Sequence, residues 1–470
     1  MKKTGIGIKI ICACVLLLLI VYAGGCYYYG NHFQRGTLIN QVDVSNLTVK
    51  DLADRVDAYF LRIQERKSDG SSYEESIDGK AIDLSYASTE PLQQILREQN
   101  QYLWFLPQHE EHETEALLSY SKDKLTQAVQ ALKGFEEDFA QAPTNAHISE
   151  YTPETGFSIV AETQGNELDQ AKTLEVISNA VEELKGLVNL DAEGCYETPA
   201  VTSDSEELQN TLQKLQKYGT VTITYRFGDN IEVLDGSTIS TWLEVDGFAV
   251  TLDQTQVENY VATLRKKYDS IFRSRTFMTS YGKEITVDGG DYGWWMNYQQ
   301  EAKELAAQIE IGESGERTPV YYQTAASYGT PDYGDTYVEI NLTAQHLFFY
   351  KDGQLVMESD FVSGNSARGY DTPEGTYSIT YKQRNATLVG ENYETPVSYW
   401  MPFNKNIGMH DATWRSSFGG TIYKTKGSHG CINMPYEKAQ ELYGYIEKGT
   451  PVICYHLAGT ERSTESELEK

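Results

Sequence analysis

Hydrophobic and polar positions divide this 470-residue chain into one long apolar run, a middle that mixes strand-like and helix-like stretches, and a strand-rich C-terminal part. Residues 6–29 form a run of 24 with Lys9 as the one charge, close to the ~20 residues that cross a bilayer as a helix. Residues 36–48 then alternate apolar and polar. Residues 48–61 carry helical spacing, with Leu52, Val56, Tyr59 and Phe60 on one face and Thr48 as the N-cap. A second strand-then-helix unit is expected at 81–84 and 91–101. Residues 124–132, 156–160 and 169–184 read as helix, hairpin, helix, and 257–264, 284–287 and 298–309 repeat that order. Residues 312–336, rich in Gly, Ser, Thr, Pro and Tyr, show no steady period and read as a linker.

From Tyr337 the pattern turns to β. Val338, Ile340 and Leu342 alternate with polar residues, Asp352 and Gly353 mark a hairpin turn, and 372–379 reads as a turn feeding a strand. Pro435 opens a helix with Ala439, Leu442, Tyr443 and Ile446 on one face, and 452–455 reads as a closing strand. The expected architecture is therefore multidomain. An apolar transmembrane helix within 1–30 precedes an α+β segment at 31–115 and two α+β modules at 116–226 and 227–311. A linker at 312–336 leads to a mainly β, sandwich-like domain at 337–456, and the polar tail 457–470 is expected to be disordered.

Charge and cysteine usage narrow the setting. With 68 acidic against 39 basic residues and a net charge of −29, binding to nucleic acid through phosphate contacts is excluded. Lys2, Lys3 and Lys9 flank the apolar run, so the basic end stays in the cytoplasm and the chain beyond about residue 30 lies outside, facing the cell wall. Two readings of the run stay open. Ala23, Gly24 and Gly25 would suit a cleaved signal peptide, whereas the tyrosines at 27–29 suit a retained signal anchor in the cell membrane, which is favoured. Of six cysteines, Cys12, Cys14 and Cys26 belong to this run, leaving Cys195, Cys431 and Cys454 without a disulfide framework. Cys454, inside an apolar strand, reads as packing.

Cys431 reads differently. It stands in Ser428-His429-Gly430-Cys431-Ile432-Asn433, with a second histidine upstream in Gly408-Met409-His410-Asp411. A thiol with an imidazole to take its proton is a nucleophile for carbonyl carbon, and Gly430 leaves room for the substrate. Backbone N–H groups at Gly430 and Cys431 are candidates for an oxyanion hole. His410, His429 and Cys431 make a poor zinc site, because a Cys and a His one residue apart chelate awkwardly and no further ligand is near in sequence. No metal or cofactor is expected.

His410, seventeen intervening residues, and the run from Ser428 to Asn433 resemble the signature of the L,D-transpeptidase (YkuD-type) catalytic domain, over roughly residues 337–455. The tandem modules resemble the peptidoglycan-binding modules that often precede it. The resemblance implies that Cys431 attacks the third residue of a peptidoglycan tetrapeptide stem, releases D-alanine, and passes the acyl group to a side-chain amine of another stem. It also implies His410 as the base, oriented by Asp411 or the Ser428 region. His429 is given an accessory role, Asn433 holds the loop or contacts substrate, and Trp414, Arg415 and Tyr423 line the cleft. A cysteine peptidase that trims stems, and a non-catalytic wall-binding tether, remain alternatives.

Overall fold

The computed structural model describes residues 4–106, 109–114, 118–390 and 393–462, with side chains from Gly7 onward. Lys2 and Lys3 of the basic flank, and residues 463–470 of the tail, lie outside the described residues. The chain forms two compact units, Met1–Ser149 with Ile159–Gln209, and Glu150–Ser158 with Asn210–Lys470.

The first unit opens with the helix Thr4–Tyr29. Its stretch Gly7–Tyr29 is long and apolar enough to cross a membrane, with a mean hydropathy of 2.5. The expected helix at 48–61 ends early, at Val49–Asp57. Thr48 caps it through a reciprocal pair with Asp51, and Leu52 and Val56 face inward. Phe60 is exposed and instead starts the strand Phe60–Arg66, which pairs with Ser72–Asp78. The strand expected at 81–84 is a 3-10 turn, Gly79–Ile82, stopped by Asp83 in the left-handed region. The helix expected at 91–101 is Glu90–Glu98, with Pro91 in its first turn.

Both repeats are more complete than the periodicity suggests. In the first, the hairpin 60–78 precedes the helix Lys122–Gln130, the short pair His147–Ile148 with Ile159–Val160, and the helix Gln170–Glu182. The strand Leu187–Asn189 then returns parallel to Phe60–Arg66. In the second, the hairpin of Ile223–Phe227 and Asn230–Leu234 precedes the helix Gln254–Tyr268, the hairpin Arg275–Met278 with Glu284–Val287, and the helix Tyr298–Ile311. The strand Gly315–Arg317 returns parallel to Ile223–Phe227. The stretch read as a linker therefore supplies a closing strand, and Tyr321–Gln323 pairs with Trp295–Met296 besides. Without an apolar run of their own, such strands are held by ladder hydrogen bonds to partners far away in sequence.

Among the described residues, the C-terminal part holds nine strands: β1 Tyr337–Asn341, β2 His346–Lys351, β3 Gln354–Asp360, β4 Gly375–Ser378, β5 Gln383–Gly390, β6 Tyr393–Asn404, β7 Ile407–Asp411, β8 Ile432–Met434 and β9 Pro451–Tyr455. They form a five-stranded mixed sheet, β3-β2-β1-β9-β4, and a four-stranded one, β5-β6-β7-β8. Asp352 and Gly353 both take positive φ in the β2–β3 turn, as a two-residue hairpin of matching twist requires. Val338, Ile340 and Phe349 of one sheet and Met401, Met409, Ile432 and Met434 of the other share a single core. The helix Tyr436–Tyr445 adds Ala439 and Leu442 to it. Beyond β9, residues 457–462 are irregular but engaged. Thr460 accepts from Asn341 at 3.0 Å, and Arg462 pairs with Asp360 at 3.2 Å.

Candidate active site

Strand alternation places the candidate residues. In β7 and β8, which run parallel with Met409 opposite Ile432 and His410 opposite Asn433, Met409, Ile432 and Met434 face the core. The period of two turns His410, Cys431 and Asn433 toward the other face of the four-stranded sheet. There Cys431 packs with Ala386 of β5 and with Val397 and Trp400 of β6. The Trp400 ring centre lies 5.9 Å from that of His410.

Cys431 is buried, 8% exposed, and its Sγ–H donates to the Asn406 carbonyl at 3.6 Å. Burial pushes the thiol up to about 11, offset in part by the Gly408 main chain. His410 is likewise buried, and loss of water pulls its imidazole below the ordinary value, opposed by the Asp411 carbonyl and carboxylate and assisted by the Arg415 charge. Both shifts favour the uncharged forms, a thiol and a free imidazole.

The orienting contact on His410 is a main-chain one. Its Nδ1 lies 2.9 Å from the Asp411 carbonyl oxygen, which fixes the proton on Nδ1 and leaves Nε2 as the basic nitrogen. The Asp411 carboxylate turns elsewhere and accepts from the Ser398 and Tyr399 amides of β6, both at 2.8 Å. Asp411 thus ties β6 to β7.

Ser428 shapes the turn before Cys431. Its Oγ donates to the Cys431 carbonyl at 2.6 Å and accepts from the Gly430 N–H at 3.0 Å. That bond occupies the Gly430 N–H, one of the two main-chain donors expected for an oxyanion hole. Gly430 itself has φ +117°, where a side chain would be strained, and a Cβ there would sit 3.1 Å from Ile407 Cδ1. Its carbonyl accepts from Thr372 Oγ1 at 2.7 Å, and Ser428 N–H donates to Ser363, so the loop is pinned from two sides.

The remaining residues fall into two groups. His429 is exposed, its ring between Tyr370 and Tyr393 at centroid distances of 4.7 and 4.8 Å. Trp414 is half-exposed with its ring 5.9 Å from His410, and Arg415 is partly buried with its Nε unpartnered. Both border the imidazole. Asn433 is buried in β8, with its backbone paired to Val362 in both directions and its Oδ1 unpartnered. Tyr423 starts the short helix Tyr423–Lys426, which packs next to the 3-10 turn Ser366–Arg368. Among the described residues, no group of three His, Cys, Asp or Glu is placed to hold a metal ion.

Sequence reasoning missed Trp400, Tyr393, Tyr370, Thr372 and Asn406. The first two sit on a hairpin the sequence reading leaves unassigned, and only the pairing of β6 with β7 brings them to the site.

Residues 335–454 match the YkuD family, the L,D-transpeptidase catalytic domain, and residues 74–189 and 201–317 each match the family described as "Putative peptidoglycan binding domain". A crystal structure of an Enterococcus faecium L,D-transpeptidase cysteine-to-serine variant is 36% identical, over 53% of this chain and 100% of that one, with a TM-score of 0.44. The catalytic domain of the E. faecium L,D-transpeptidase acylated by ertapenem is 45% identical, over 26% of this chain and 98% of that one, with a TM-score of 0.25. No curated protein matches the chain. With the catalytic-domain model matched and that identity held across a relative's whole length, the chain belongs to the L,D-transpeptidase family.

Proposed function

We propose that this protein cross-links peptidoglycan stems through a thioester on Cys431. Cys431 Sγ attacks the carbonyl carbon of the third residue of a tetrapeptide stem, and the thiol proton passes to His410 Nε2. Collapse of the tetrahedral intermediate breaks the amide bond, and His410 returns the proton to the departing D-alanine amine. A side-chain amine of a second stem then attacks the thioester and gives its proton to His410, from which the thiol recovers it. The observation that carries this reading is the parallel register of β7 and β8, which turns His410 and Cys431 to one face of the sheet.

Neutral resting groups fit a base that acts as the sulfur attacks, and the tight seat of Cys431 restricts water as a competing acceptor. Trp414 and Arg415 border the approach to His410, and His429, held between two tyrosines, positions the donor stem. In the same reading the apolar helix anchors the chain in the cell membrane and the modules hold it to peptidoglycan. Ertapenem, which acylates the E. faecium catalytic domain, is expected to add to Cys431 here.

Incubation with a disaccharide tetrapeptide, followed by mass spectrometry, tests the reaction. A cross-linked dimer with loss of one alanine is the expected product. A shortened monomer alone would show a peptidase, and unchanged substrate a tether.

A further inference from the structure

The segment that follows the helix Glu90–Glu98 is strapped to the end of the apolar helix. Gln99 Nε2 donates to the last carbonyls there, Tyr29 at 2.5 Å and His32 at 2.7 Å, and its Oε1 accepts from the Gln34 N–H at 3.1 Å. Gln34 Nε2 in turn donates to the Asn100 carbonyl at 2.7 Å. Carbonyls that a helix leaves unpaired at its C-terminus are thus satisfied by this one segment.

From that fixed point, residues 101–106 run back along the helix. The Trp104 ring stacks on Tyr29 with centroids 6.0 Å apart and lies against Gly25, where a Cβ would come within 2.1 Å of Cε2. Phe105 lies 6.2 Å from Tyr22, whose hydroxyl donates to the Tyr102 carbonyl at 3.3 Å. Tyr22, Gly25 and Tyr29 share one helix face, and the seven steps from Tyr22 to Tyr29 correspond to about 10 Å of helix. Gly7–Tyr29, with 23 residues, is about 34 Å long at ~1.5 Å per residue, against ~30 Å of hydrocarbon in a bilayer. A segment that reaches back as far as Tyr22 therefore reaches the level of the bilayer interface.

Its outward side chains suit that level. Tyr102, Leu103, Phe105 and Leu106 are all exposed, beside the exposed Tyr22, Tyr27 and Tyr28 of the helix. Residues 101–106 carry no charge, while Arg97 and Glu98 sit just before them. A contiguous apolar and aromatic patch of this kind is uncommon on a surface meant for water, and aromatic rings favour the headgroup boundary.

We infer that residues 101–106 form a second membrane contact, a loop that inserts Tyr102, Leu103, Phe105 and Leu106 into the outer interface of the bilayer beside the helix. The lipid surface is the occupant because the patch continues the apolar helix without a break. The loop would fix the tilt at which the first unit leaves the membrane, where a helix alone would leave it free to swing. This inference rests on the membrane-anchor reading above.

The test uses the full chain in nanodiscs of phosphatidylglycerol and phosphatidylethanolamine, with the photoreactive residue benzoylphenylalanine placed singly at Phe105, Val15 or Leu187. An exposed aromatic at Phe105 tolerates the replacement, and thermal melting checks that each variant is folded. After irradiation, lipid adducts at Phe105 and Val15 but not at the likewise exposed Leu187 are expected. An adduct at Val15 without one at Phe105 overturns the loop and leaves the anchor standing. No adduct at either position overturns the anchor reading and the loop with it. Equal labelling at Leu187, or a cross-link from Phe105 to a second copy of the chain, also overturns the loop.

Discussion

Cys431 and Cys454 lie in the same domain, both buried and both free, yet their surroundings differ in kind. Cys454 is in β9, which lies between β1 and β4 in the five-stranded sheet. It belongs to the shared core, and burial, with a smaller contribution from the Glu374 charge, drives its thiol far up. Cys431 sits at the entry to β8, the edge strand of the four-stranded sheet, on the face turned away from the core. A main-chain carbonyl accepts from its sulfur and a buried imidazole projects from the next strand. Burial alone thus does not separate the proposed nucleophile from a packing residue. Location at a strand end, a polar main-chain partner for the sulfur, and an imidazole on the adjacent strand do.

The largest contrast is expected from removing each sulfur. Cys431→Ala should abolish cross-linked product while the protein stays folded. Cys454→Ala should leave turnover intact and cost about 1–2 kcal/mol of stability through the cavity it opens, read as a lower denaturation midpoint. Loss of activity in both variants, or in neither, would erase the distinction.

His410→Asn comes next, because it removes the base but keeps a group that can bond the Asp411 carbonyl. A fall in kcat/KM of roughly 10²- to 10⁴-fold is expected, with the fold intact by circular dichroism. In the wild type the same base must be neutral to act. Since burial holds the His410 imidazole below its ordinary value, kcat/KM should be flat through neutrality and fall only as pH drops through that lowered value. An acid limb centred above pH ~6.5, the ordinary imidazole value, would contradict the buried, neutral resting state.

Gly430→Ala should have a smaller effect, about 1–3 kcal/mol, from forcing a side chain into the φ +117° conformation. Activity should suffer more than stability, because strain there moves the Cys431 carbonyl and sulfur together. Smaller still is Ser428→Ala, which frees the Gly430 N–H and the Cys431 carbonyl. About 0.5–1.5 kcal/mol is expected, seen as a two- to tenfold drop in kcat with little change in melting temperature.

The two cysteines also show what a sequence can convey. Cys431 was legible because its motif is local: a glycine, a hydroxyl and a histidine within six positions, and a second histidine at fixed spacing. The Asp352-Gly353 hairpin, the Thr48 cap and the helix after Pro435 were legible for the same reason, each being set by a few adjacent residues. The wall around Cys431 was not. Along β5, from Gln383 to Gly390, one residue is fully buried, so the strand has no apolar alternation to read. Trp400 and Tyr393 reach the site through cross-strand pairing rather than through sequence spacing. The strand Gly315–Arg317 was hidden in the same way, since it pairs with Ile223–Phe227 from about 90 residues away and carries no apolar pattern.

The most direct test of the central claim is to trap the acyl-enzyme. The protein is mixed with a disaccharide tetrapeptide, quenched in acid within the first turnover, digested and analysed by mass spectrometry. The account predicts that the peptide containing Cys431 gains the mass of the donor less one alanine, through an adduct labile to hydroxylamine, while the Cys454 peptide is unchanged. Cross-linked product formed with Cys431 unmodified throughout, or the adduct found on another residue, would contradict it.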